Sequence, residues 1–134
     1  MKRLAMFFAL FTCVTLSGCS TSHLTPDKAI YVEPLTQATP SAERPIKVTL
    51  MRDYGAFTAA GATFYIFDND KKVAKLESRE MTVYYAEPGN HSILLGNSSG
   101  EGHANSFSEF KKGEAPEIHF GIDGNFTFRV RRVK

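Results

Sequence analysis

Between Ile46 and Val133 apolar residues recur at every second position in short runs, and each run is cut by Gly, Asp, Asn or Pro. Period-two alternation is the mark of a strand with one wet face, and no segment of this stretch carries the wider stripe of an amphipathic helix. Ile46, Val48 and Leu50 alternate with Lys47 and Thr49. Ala62 to Phe67 is aromatic and β-branched on both faces, as expected of a central strand, and Lys71 to Leu76, Met81 to Ala86 and His91 to Gly96 supply three more. Two further runs, Ile118 to Ile122 and Phe126 to Arg131, close the series. About seven short strands predict an all-β fold, a small antiparallel β-sandwich over residues 46–134. In a domain of this size the phenylalanines supply much of the core. The stretch Asn97 to Ser106, rich in Gly and Ser with Ala104 as its apolar residue, predicts a long exposed loop.

The last two runs permit a register argument. A two-residue turn at Asp123-Gly124 would set the apolar face of one strand against the polar face of the other. A three-residue loop, Asp123-Gly124-Asn125, instead pairs Ile122 with Phe126, Phe120 with Phe128 and Ile118 with Val130. It places a left-handed backbone at Asn125, a residue type that tolerates it.

The N-terminus has a different character. Lys2 and Arg3 precede thirteen residues, Leu4 to Leu16, in which only Thr12 and Thr15 are polar. Thirteen helical residues reach only about 20 Å, short of a ~30 Å hydrocarbon layer. This is the layout of a secretory signal peptide over residues 1–18. Leu16-Ser17-Gly18-Cys19 resembles the lipobox of bacterial lipoproteins, in which cleavage falls before the cysteine and the thiol becomes a lipid-bearing thioether. The resemblance implies that Cys19 anchors the chain to a membrane, since two or more acyl chains suffice for stable attachment. By the enterobacterial sorting rule an aspartate after the cysteine retains a lipoprotein at the inner membrane; Ser20 implies the outer membrane, facing the periplasm.

After the cysteine, residues 20–45 hold four of the six prolines and no sustained periodicity. Residues 19–45 therefore read as a lipidated cysteine and a flexible tether, about 30 Å long as a random coil. Ala29-Ile30-Tyr31-Val32 interrupts it as a candidate edge strand. With Cys13 in the signal and Cys19 carrying lipid, the folded part has no thiol for a disulfide, zinc or a nucleophile. Loss of Lys2 and Arg3 brings 16 basic side chains down to 14, equal to the 14 acidic ones, so net charge supplies no argument for a nucleic-acid partner.

Val48 to Arg52, Phe64 to Phe67, the turn Asp68-Asn69-Asp70, Val73 to Leu76, and Pro88-Gly89-Asn90-His91 leading into Ser92 to Leu95 together resemble an uncharacterised family of bacterial lipoprotein domains. That family has a β-sandwich related to transthyretin-like and peptidase-associated regulatory domains. The resemblance covers about Ile46 to Val133 and implies an architecture without assigning a catalytic residue.

Chemical motifs are sparse. Asp68, Asn69 and Asp70 cluster oxygens, but Lys72 and Val73 stand where a calcium loop needs an oxygen ligand and a glycine, so a hairpin turn is the better reading. His91, His103 and His119 fall in separate elements without metal-ligand spacing. No nucleophile elbow occurs, no lysine accompanies Gly96, Gly100 and Gly102 at phosphate-loop spacing, and Glu77, Glu80 and Glu87 sit at strand edges where charges are usually solvated. The expectation is therefore no enzyme, no cofactor and no metal. Arg129, Arg131 and Arg132, with Lys134, form a basic cluster at the C-terminus, a candidate surface for an envelope protein partner or for phosphate-bearing lipid. The sequence favours a membrane-anchored protein-interaction or structural module. The alternative is a binder of a small ligand, glycan or lipid head group, using the Asn97 to Ser106 loop or Tyr54, Tyr84 and Tyr85.

Overall fold

The computed structural model describes residues 24–53, 61–123 and 125–134. The segment expected to be a signal peptide, the expected lipobox Leu16-Ser17-Gly18-Cys19 and Tyr54 lie outside the described residues. Among the described residues nine strands form two sheets: β1 Ile30–Tyr31, β2 Ile46–Arg52, β3 Phe64–Asp68, β4 Lys71–Leu76, β5 Glu80–Ala86, β6 Gly89–Gly96, β7 Gly102–Phe110, β8 Glu117–Ile122 and β9 Phe128–Arg132. Sheet order is β1-β5-β2-β8-β9 in one layer and β4-β3-β6-β7 in the other. The fold is all-β, a small β-sandwich.

Alternation explains the core. Ile46, Val48 and Leu50 of β2, Tyr84 and Ala86 of β5, and Ile118, Phe120 and Ile122 of β8 face inward. They meet Phe64, Ile66, Val73, Leu76, Ile93 and Leu95 from the other sheet. The segments quoted for the family resemblance fall in β2, β3, the β3–β4 turn, β4 and β6. In that turn Asn69 and Asp70 both have positive φ, 46° and 67°, the backbone of a tight hairpin turn that matches strand twist.

Four expectations are corrected. The strands number nine among those described because β1 and β7 join the seven read from alternation. The sandwich is not purely antiparallel: β1 runs parallel to β5, and β2 parallel to β8. The second arises because the chain leaves after β5, builds β6 and β7 in the opposite layer, and returns as β8 on the open side of β2. The supposed loop from Asn97 to Ser106 is a short turn followed by β7. Asn97 holds that turn by accepting from the Ser99 and Glu101 amides at 3.1 and 3.0 Å. The β8–β9 register is displaced by two residues, with Ile122 opposite Phe128, Phe120 opposite Val130 and Ile118 opposite Arg132. A two-residue displacement keeps the inward face inward, so alternation by itself does not separate the two registers. Asp123 decides between them: its carboxylate accepts from the amides of Asn125 and Thr127, and its carbonyl from that of Phe126. The left-handed residue is then Phe126, at φ 59°, and not Asn125.

The segment expected to be a free tether is laid against the domain from Leu24 onward. Leu24 is buried, and its amide donates to Asp53 Oδ1 at 2.9 Å. Ile30 and Tyr31 pair with Glu80 and Met81, the Leu35 amide donates to the Val73 carbonyl, and Gln37 exchanges hydrogen bonds with the Tyr85 backbone. Prolines keep most of this stretch out of regular ladders, but amides without a β-partner still find acceptors on the strands they cross.

Candidate interaction site

Two histidine–carboxylate clusters are built into the sandwich. In one, His91 Nδ1 donates to Asp68 at 2.6 Å, His91 Nε2 donates to the Glu87 carbonyl at 2.8 Å, and the Tyr84 hydroxyl donates to the second Asp68 oxygen at 2.9 Å. Phe110 stacks on the imidazole at 4.2 Å. In the other, His119 Nδ1 donates to Asp53 at 2.8 Å and Nε2 to Glu117 at 2.7 Å. Each ring therefore faces an acceptor from both nitrogens, which only the doubly protonated imidazolium satisfies. Burial works against the charge of both histidines, yet the carboxylate bonds outweigh it and raise both above the ordinary value. Burial, with Asp68 beside it, pushes Tyr84 well above the usual phenol range.

These contacts are of the kind that a base and its orienting acid would make, so their chemistry matters. A general base needs a free lone pair within reach of a proton. With both nitrogens donating, neither ring offers one, and the clusters act as cross-links between strands. Arg52 plays a similar part. Fully buried, it lies 3.8 Å over the Phe64 ring and donates to the carbonyls of Ala62 and Leu76. Among the described residues no group of three or more His, Cys, Asp or Glu is placed to hold a metal ion.

The aromatic platform considered for ligand binding is not assembled as expected. Tyr84 is fully buried and Tyr85 half-buried. Among the described residues the exposed large aromatics are Tyr31, Phe107 and Phe126, which belong to β1, β7 and the β8–β9 loop.

The basic cluster is assembled, but largely neutralised. Arg129 and Arg131 point outward on β9, as alternation predicts. Arg129 makes two hydrogen bonds to Asp123 Oδ2, at 2.9 and 2.5 Å, and lowers that carboxyl below its usual range. Arg132 contacts Glu114 at 2.9 Å and donates to the Glu109 carbonyl at 2.8 Å.

The sheet edges distinguish one surface from the rest. An edge strand exposes unpaired amides and carbonyls, and proteins blunt such edges with charge, shortness or a covering segment. β1 has two residues. β4 carries Lys71, Lys72 and Lys75 and is crossed by Leu35. β9 carries three arginines. β7, the outermost strand of its sheet, runs nine residues with Glu109 as its sole carboxylate and no lysine, arginine or proline. Phe107 in its middle is 77 % exposed.

β7 and β9 belong to different sheets, yet their backbones come within 8 Å, closer than the ~10 Å between stacked sheets. At one end His103 stacks on Phe128 at 4.5 Å, and at the other Arg132 reaches the Glu109 carbonyl. Between them lies an open hollow of about 400 Å³ lined by Ala104, Asn105, Phe128 and Val130. Alternation did not reveal β7 because three of its inward residues, Ala104, Ser106 and Ser108, are small and two of these are polar. The regular small-versus-large alternation with Asn105, Phe107 and Glu109 was the available signal.

Comparison with known proteins finds no matching family model, no matching curated protein and no matching solved structure.

Proposed function

We propose that this chain is an envelope lipoprotein, anchored through lipid on Cys19 and residing at the outer membrane. Its sandwich is a non-enzymatic protein-interaction module that receives an extended strand of a partner along β7. The anchor rests on the signal and lipobox residues, Leu16 to Cys19. The interaction reading rests on one observation: of the edges described, β7 is the longest, and its one charged side chain, Glu109, and its contact with Arg132 lie near one end. Strand addition draws affinity from main-chain hydrogen bonds and specificity from alternate side chains. Phe107 and the neighbouring hollow provide that second component, with Arg131 of β9 at its rim.

A photo-crosslinking residue at Asn105, compared with one at the exposed Lys47 of β2, tests this in living cells. A defined partner captured only from position 105, and lost in a Phe107→Lys variant that retains its fold, supports strand addition at β7. Equal capture from both positions, or capture insensitive to Phe107→Lys, rejects it.

A further inference from the structure

The end of the sandwich that faces the membrane follows from where Leu24 is held. This deduction rests on the lipoprotein reading of Cys19. Cys19 and Leu24 are five residues apart, and five Cα steps of at most ~3.6 Å give a reach of about 18 Å. Leu24 is not free to use slack elsewhere, because its side chain is buried and its amide is bonded to Asp53. Asp53 in turn follows the last residue of β2, and its amide donates to the Phe120 carbonyl at 2.9 Å. Leu24 is therefore pinned where β8 approaches the 123–127 loop. From there the seven residues of β2 run away for about 24 Å at ~3.4 Å per residue, farther than five residues can reach.

That same end carries Phe126. It is 67 % exposed at the tip of the β8–β9 loop, and its φ of 59° is a conformation that bulky residues rarely adopt. Gly or Asn would satisfy the backbone with less strain. The loop nevertheless holds an aromatic ring outward, with the Asp123 hydrogen bonds to Asn125 and Thr127 locking the backbone beneath it. Exposed Ile30 lies at the same end, where its amide meets the Arg79 carbonyl before β5.

We infer that Phe126 is a second membrane contact, its ring seated at the headgroup–acyl boundary beside the Cys19 lipid. An aromatic tip adds apolar burial to the lipid anchor and fixes the tilt of the domain. Sheet edge β7 then stands upright from the bilayer, with Phe107, opposite Ser92, held toward the far end.

The chain has no tryptophan, so one introduced residue reports alone. Lipidated full-length Phe126→Trp and Phe107→Trp proteins, with lipid confirmed by mass, are reconstituted into phosphatidylethanolamine–phosphatidylglycerol vesicles with brominated acyl chains. Blue-shifted emission and strong quenching at position 126, with position 107 unquenched, is the expected result. If the lipidated protein floats with vesicles but position 126 is no more quenched than position 107, the tip contact is overturned while the anchor stands. If the chain carries no lipid, or Cys19→Ser floats equally well, the anchor reading fails and the orientation falls with it.

Discussion

His119 donates to Asp53 across a chain separation of 66 residues, and the same Asp53 oxygen accepts the amide of Leu24. One buried carboxylate thus ties β8 to the end of β2 and fastens the incoming chain to both. Glu117 closes the other side of the imidazole, so the cluster is a charged cross-link within a largely apolar sandwich.

Removing Asp53 leaves a buried imidazolium without its main partner. Asp53→Ala is expected to destabilise the fold by about 3–5 kcal/mol, the usual cost of breaking a buried pair from one side. Asp53→Asn keeps an acceptor and should cost less, about 1–3 kcal/mol. Urea denaturation gives both values. Hydrogen exchange at Leu24 and Ile30 should rise in both variants, and unchanged exchange there would show that the incoming segment is held by other contacts.

Stability should fall as pH rises beyond the ordinary histidine value of about 6.5. Both histidines have folded pKa values raised above the ordinary value, so their contribution is complete below about pH 6.5 and is lost as pH climbs through the raised values. The denaturation midpoint is expected to be higher at about pH 6 than at about pH 8.5. In a His91→Gln, His119→Gln double variant that difference should shrink, and an undiminished difference would place its origin in other groups.

Gly96 is required for a close approach. A Cβ there would lie 2.6 Å from the Glu101 carbonyl oxygen, a backbone atom of the turn that leads into β7. Gly96→Ala is expected to cost about 1–3 kcal/mol through overpacking. Gly61→Ala, where the added carbon meets nothing within 4 Å, should stay within about 0.5 kcal/mol of wild type. Thermal denaturation of the two variants checks the contrast.

Seven of the strands were legible because period-two alternation is a local consequence of a sheet with one wet face. Ile46 to Leu50 and Ile118 to Ile122 declare their inward sides without reference to the rest of the chain. β7 escaped because Ser106 and Ser108 face a partly open margin, where burial demands smallness rather than hydrophobicity. The hairpin register escaped because a displacement of two preserves every face, leaving the choice to the Asp123 hydrogen bonds.

The sequence by itself determined the all-β class and the inward faces of most strands, and it holds the residues, Leu16 to Cys19, on which the anchor proposal rests. These are short-range patterns, readable within a few residues. The tertiary structure alone decided that β8 returns beside β2, that His91 and His119 are buried against carboxylates, that residues from Leu24 onward lie on the domain, and which edge is left open. Each depends on where distant segments meet, and a carboxylate or an unpaired backbone amide takes its role only from the neighbour that folding brings to it.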